Sequence, residues 1–171
     1  MMITEYLTSQ HHVFLTQLSF LEELKNAQKL LEPAGLKEVV FMISKAVEQH
    51  ADIEEKFLFP ELEPHLGDQM GPVAVMEFEH GEIRKVLHAL RETDDPQVIR
   101  LEVSKFIVFL RDHLAREETV LFPMAQELVG LKRLETVGTI VFKLKQGKEN
   151  TIVDPEEEQE TNEAESENIP D

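Results

Sequence analysis

The sequence has no cysteine and no tryptophan, and only one tyrosine. Without cysteine there is no disulfide, no thiolate zinc site, no cysteine-held iron–sulfur cluster and no thiol nucleophile. Any metal site must be built from histidine and carboxylates, a donor set that suits iron, zinc, manganese or copper. Basic residues are scarce: 17 Lys and Arg stand against 34 Asp and Glu, a formal charge of −17. That balance argues against nucleic acid or an anionic membrane as partner, since both need a basic footprint. No apolar run is long enough to span a bilayer. The opening MMITEYLTSQHH lacks a basic start followed by an apolar stretch, so no secretory signal is visible. The expected location is the cytoplasm.

What remains is ample for a core: 42% of the 171 residues are hydrophobic. The acidic excess is unevenly spread. Residues 149–171 hold ten acidic side chains and no Lys or Arg. The expected organisation is a helical bundle over residues 1–147 and an acidic, disordered tail over 148–171.

Five segments have helical spacing, and almost nothing has the alternation of a strand. The first runs from about Ile3 to Leu31, with Leu7, Phe14, Leu18, Leu21 and Leu24 recurring; Pro33 and Gly35 end it. The second starts near Leu36 and is limited by Pro60 and Pro64, followed by a loop at His65–Asp68. The third begins after Gly71-Pro72, with proline where a first turn accepts it. The fourth runs from Pro96 to about Leu121, with Asp95 as its N-cap. A shorter fifth spans Leu131 to about Lys145. Four long amphipathic segments on short loops predict an all-α fold, an up-down-up-down four-helix bundle with an added C-terminal helix. That helix either caps the bundle or forms a homodimer contact.

The strongest signal is an internal repeat. His50 to Pro60 and His113 to Pro123 both read His-x-x-x-Glu-Glu-x-x-Leu-Phe-Pro. A lone histidine precedes each copy: His12 lies 38 residues before His50, and His80 lies 33 before His113. Residues four apart share a helix face. His50 and Glu54 can therefore point inward together, as can His113 and Glu117. Glu55 and Glu118 are turned away by about 100°. The predicted metal ligands are His12, His50, Glu54, His80, His113 and Glu117. A single His-x-x-x-Glu is a common feature of a solvated helix surface. Two copies with two further histidines are better explained by metal, because burying six such groups unpartnered would cost several kcal/mol. Imidazole and carboxylate together suit iron, and a carboxylate can bridge two ions. The set leaves positions on two octahedral ions for an oxo or hydroxo bridge and an incoming small molecule.

Neighbouring residues hold lesser candidacies. His11 rivals His12; the match of His12-x-x-Leu15-x-x-Leu18 with His80-x-x-Ile83-x-x-Val86 favours His12. Glu77 lies within a turn of His80 and is a candidate seventh ligand, though a solvated glutamate is the plainer reading. His65 fits a loop, and His88 the surface or the second rank behind a ligand. Tyr6 fits a boundary position. Arg84 and Arg116 fit exposed ion pairs. Phe57, Phe59, Phe78, Phe106, Phe109 and Phe122 fit the core.

The doubled motif, over about residues 5–128, resembles the hemerythrin-like family, also called the HHE cation-binding domain. The resemblance implies a four-helix bundle around a non-haem di-iron centre, with two iron ions as cofactor. Oxygen-carrying members add a fifth histidine one turn from its partner on the third helix. Met76 and Arg84 stand at those positions here. The four-His, two-Glu set is more similar to bacterial di-iron proteins of nitrosative stress and iron-centre repair.

Two main functions follow as expectations. One is binding of O2 or NO for sensing, buffering or stress response. The other is an enzyme, a peroxidase or NO reductase, or an iron donor for repair of iron–sulfur centres. The acidic tail fits a solubilising segment better than a recruiting one. The redox partner is open.

Overall fold

The computed structural model describes residues 1–27, 32–66 and 71–147. Among them the chain is helical and has no strand. The helices are α1 (Ile3–Asn26), α2 (Pro33–Ile53), α3 (Phe59–Leu66), α4 (Gly71–Glu92), α5 (Pro96–Arg116), α6 (Phe122–Leu128) and α7 (Leu131–Lys145). Wider π-helical turns, Glu54–Leu58 and Glu117–Leu121, join α2 to α3 and α5 to α6. The described residues thus form five helical rods. Four build the up-down-up-down bundle, with α1 packed on α2 and α5, and α4 on α5 and α2.

Local signals account for the starts of α1, α2 and α5. Met2 precedes α1, and its N–H donates to Glu5 Oε2 at 2.9 Å. Pro33 occupies the first turn of α2, where a missing N–H has no consequence. Pro33 and Gly35 therefore begin α2 rather than end α1, which stops at Asn26. Asp95 caps α5, accepting from the N–H groups of Gln97 (2.8 Å) and Val98 (3.2 Å).

Pro60 and Pro123 do not terminate their helices. A proline inside an α-helix lacks the N–H that bonds one turn back, and its ring crowds that carbonyl. Here each proline is the second residue after a π-turn. Phe59 N–H reaches Glu54 O and Phe122 N–H reaches Glu117 O, five residues back. The wider turn carries the rod past the proline. Consequently α3 continues to Leu66 and includes Pro64 and His65.

The buried faces form two apolar clusters with a polar waist between them. One holds Phe14, Leu18, Val40, Leu87, Val103 and Phe106 among others. The second holds Ile3, Leu7, Leu58, Leu62, Leu121 and Ala125, and α7 completes it with Leu134, Val137 and Val141. The fifth helix therefore caps the bundle. It is fixed by Arg133, whose Nε and Nη2 reach Glu61 at 2.8 and 2.9 Å. Gly138 lets it approach α1 closely: a Cβ there would lie 2.4 Å from Met1 O and 2.8 Å from Ile3 N. Each fully buried leucine in these clusters contributes about 1.5–3 kcal/mol. The expected acidic tail, 148–171, lies outside the described residues.

Candidate metal centre

Six buried side chains converge at the waist: His11 from α1, His50 from α2, His80 from α4, His113 from α5, and Glu54 and Glu117 from the two π-turns. They form two groups, His11–His50–Glu54–Glu117 and Glu54–His80–His113–Glu117, whose ligand atoms lie within 4.8 Å of one another. Both glutamates belong to both groups. Glu54 Oε1 lies 3.5 Å from His50 Nε2, and its Oε2 lies 3.4 Å from His80 Nε2. Glu117 Oε2 lies 3.1 Å from His11 Nε2, and its Oε1 lies 2.8 Å from His113 Nε2.

The ring nitrogens that face away from the waist all have acceptors. His11 Nδ1 donates to Glu118 Oε1 (2.9 Å), and His50 Nδ1 to Gln10 Oε1 (2.8 Å). His80 Nδ1 donates to Glu55 Oε1 (2.8 Å), and His113 Nδ1 to Glu79 Oε2 (3.0 Å). A neutral ring that donates from Nδ1 presents Nε2 as a lone pair. Yet His11 Nε2 and His50 Nε2 are 3.1 Å apart, as are His80 Nε2 and His113 Nε2. Two lone pairs at that distance repel unless a cation lies between them. The carboxylates make the same point: all four oxygens of Glu54 and Glu117 are buried and none makes a hydrogen bond. Buried polar atoms are rarely left so. The donor set fits metal, and imidazole with bridging carboxylate fits iron.

Titration behaviour matches this crowding. Burial, then the charge of Glu117, pushes the Glu54 carboxyl well above the usual range. Burial lowers His50. Burial and the neighbouring His113 bring His80 down to about 4. His80 is thus neutral near pH 7, as a ligand must be.

The two halves make matching ring contacts. Phe122 stacks on His11 with ring centroids 5.4 Å apart, and Phe59 on His80 at 5.9 Å. Each Leu-Phe-Pro phenylalanine therefore covers the lone histidine of the other half. A cavity of about 20 Å³ adjoins His50, His80 and His113 and is walled by Val47, Ile83 and Leu110. That is room for about one water-sized molecule.

The match to known proteins follows the same residues. The family model described as the hemerythrin HHE cation binding domain matches residues 2–125. The chain belongs to the hemerythrin HHE family. Among curated relatives of this hemerythrin domain are the iron-sulfur cluster repair protein YtfE of Escherichia coli (strain K12 / DH10B) and that of Shigella boydii serotype 18. Each is 32% identical over 115 residues, covering 60% of this chain and 52% of the relative. The chain thus spans about half the length of those relatives. No solved structure gives a significant match.

The fold brings His50, Glu54, His80, His113 and Glu117 together, with His11 rather than His12 beside them. His12 is exposed, while His11 is fully buried. The reason is helical phase. Phe14, Leu18 and Leu21 follow His11 by three, seven and ten residues, and Ile83, Leu87 and Leu90 follow His80 by the same steps; all six are buried. The alignment on His12 paired Leu18 with Val86 instead. A second signal also identifies the lone histidines: Gln10-His11 and Glu79-His80 each place an acceptor just before them. Glu55 and Glu118 do turn away from the waist, as their spacing required, and become the acceptors for His80 and His11.

Other candidates are placed plainly. Glu77 is exposed and outside both groups. His65 and His88 are exposed. Tyr6 is half-buried, and its hydroxyl accepts from Gln10 Nε2 at 3.1 Å, backing the acceptor of His50. Arg84 Nη2 binds Glu55 at 2.8 Å, and Arg116 pairs with Glu79. Phe59, Phe106 and Phe122 are core, and Phe57 packs partly buried against it. Phe78 and Phe109 are not core: they are 65% and 38% exposed, on the outer faces of α4 and α5.

Proposed function

We propose that this chain holds two iron ions, one in each group of ligands, and binds O2 or NO there for sensing, buffering or stress response. The observation that carries it is the pair of bare Nε2 contacts at 3.1 Å, each beside carboxylate oxygens that lack any other partner. His11 and His50 would hold one ion, His80 and His113 the other, with Glu54 and Glu117 spanning both. When bound, iron supplies redox-active open coordination positions. The protein's own part is orientation and exclusion. Four Nδ1 hydrogen bonds lock the rings. The apolar walls Val47, Ile83 and Leu110 admit one small molecule and little water.

A second reading is repair of iron–sulfur centres by donated iron, and the name of the YtfE relatives, iron-sulfur cluster repair proteins, favours it. The two readings separate experimentally. Anaerobic loading with Fe2+ followed by O2 or NO should produce a new near-ultraviolet or visible band at two metals per chain. A flat spectrum at full occupancy would refute ligand binding. Transfer of the iron to an apo iron–sulfur protein would then support donation.

A further inference from the structure

Three carboxylates run from the centre toward the surface, and two of them are closed by arginine. Glu55, behind His80, carries Arg84, and Glu79, behind His113, carries Arg116. Glu118, behind His11, has neither arginine nor lysine among the described residues, and its side chain is 37% exposed. The repeat explains the difference. Arg84 lies four residues past His80; the matching residue past His11 is Leu15. Arg116 lies three past His113; the matching residue past His50 is the buried Ile53.

Glu118 opens on a groove of about 520 Å³ between α1 and the rod that ends in α6, lined by Thr4, Glu5, Ser9, His12 and Phe122 among others. No lysine or arginine lines it. Thr4 on its wall is 2% exposed, and its hydroxyl has no hydrogen-bond partner. The groove therefore presents carboxylate, imidazole and hydroxyl lone pairs without a competing cation. That chemistry suits a hydrated divalent cation and repels anions.

We propose that this groove is the port by which a divalent cation enters the two-metal centre, with His12 and Glu118 taking the ion before His11 and His50 do. The proposal rests on the two-metal reading above. Glu5, His12 and Glu118 do not converge as the central groups do, so the groove is a route and not a store. Glu118 couples the two, because its carboxylate already holds His11 Nδ1.

The test is the rate of metal uptake, separated from final occupancy. Full-length apoprotein is mixed anaerobically with Co2+ at low ionic strength. Ligand-field absorption is followed by stopped flow, and bound metal is counted afterwards. His12→Ala removes the capturing imidazole. Leu15→Arg installs the arginine that the second half carries. Each variant should reach wild-type occupancy about tenfold more slowly, the lower range of electrostatic steering. The gap for Leu15→Arg, which adds a fixed positive charge, should narrow in high salt. His88→Ala, exposed and away from the groove, should load at the wild-type rate. If His12→Ala and Leu15→Arg both load two ions at the wild-type rate, the port is refuted and the centre stands. If wild type takes up no Co2+, the centre itself is refuted and the port with it.

Discussion

Replacing Glu54 with glutamine should stabilise the metal-free protein while weakening its hold on metal. Glu54 is fully buried and neither oxygen has a hydrogen bond. Without metal its charge faces Glu117, and burial with that repulsion raises its pKa well above the ordinary value. A buried group left without a partner costs about 1–3 kcal/mol, more when charged. Glutamine recovers the part due to charge, so the gain should be about 1–2 kcal/mol, or about 2–8 °C in Tm for a domain of this size. The pH dependence has a definite sign. Glu54 binds its proton more tightly in the folded chain than in the unfolded one, so wild-type stability falls as pH rises from about 4.5 through the raised value. The variant lacks that loss, and its advantage should be smallest near pH 4.5 and fullest above the raised value. Thermal melts in chelator across this range measure it. With metal the order should invert, because binding stabilises the wild type by mass action. A chelated variant whose advantage over wild type does not grow as pH rises from about 4.5 would refute the account of the waist as a site of repulsion.

Three further outcomes follow. His11→Ala should lower metal affinity at its position at least about 10–100-fold, the effect of losing even an outer partner, so equilibrium titration should find about one tight ion where His12→Ala finds two. His80 has its folded pKa depressed to about 4, so between about pH 4 and 6.5 the unfolded chain holds a proton that the folded one does not. Metal-free stability relative to His80→Asn should therefore fall by up to about 3 kcal/mol as pH drops through that window; denaturant titrations showing a constant difference would refute it. Gly138→Ala should destabilise by about 1–3 kcal/mol, since its methyl would meet the backbone of Met1 and Ile3, and an unchanged melting point would show that the N-terminus yields freely.

Most of the bundle could be read from apolar spacing, and most of the centre from the doubled motif. The failures share a cause: a one-dimensional pattern leaves a phase uncertain by one residue. His11 and His12 are adjacent, and a 100° turn separates a buried side chain of the waist from an exposed groove residue. Only the full run of Phe14, Leu18 and Leu21 against Ile83, Leu87 and Leu90 resolves them. Phe78 and Phe109 are as apolar as Phe106, but helix phase turns them outward. Pro60 looked like a terminator because the rule assumes α-helical hydrogen bonding, and the π-turn changes that premise. The Nδ1 acceptors were beyond reach because they cross between segments far apart in the chain.

That crossing has a consequence for assembly. Neither helix pair owns a complete group of these side chains. The His11–His50 group borrows Glu117 and Glu118 from the second repeat, and the His80–His113 group borrows Glu54 and Glu55 from the first. Residues 1–66 and 71–147 made as separate fragments should each be poor chelators, and mixing them should restore capture of both ions together. The centre is woven from two strands of one duplication, so it is acquired or lost as a unit.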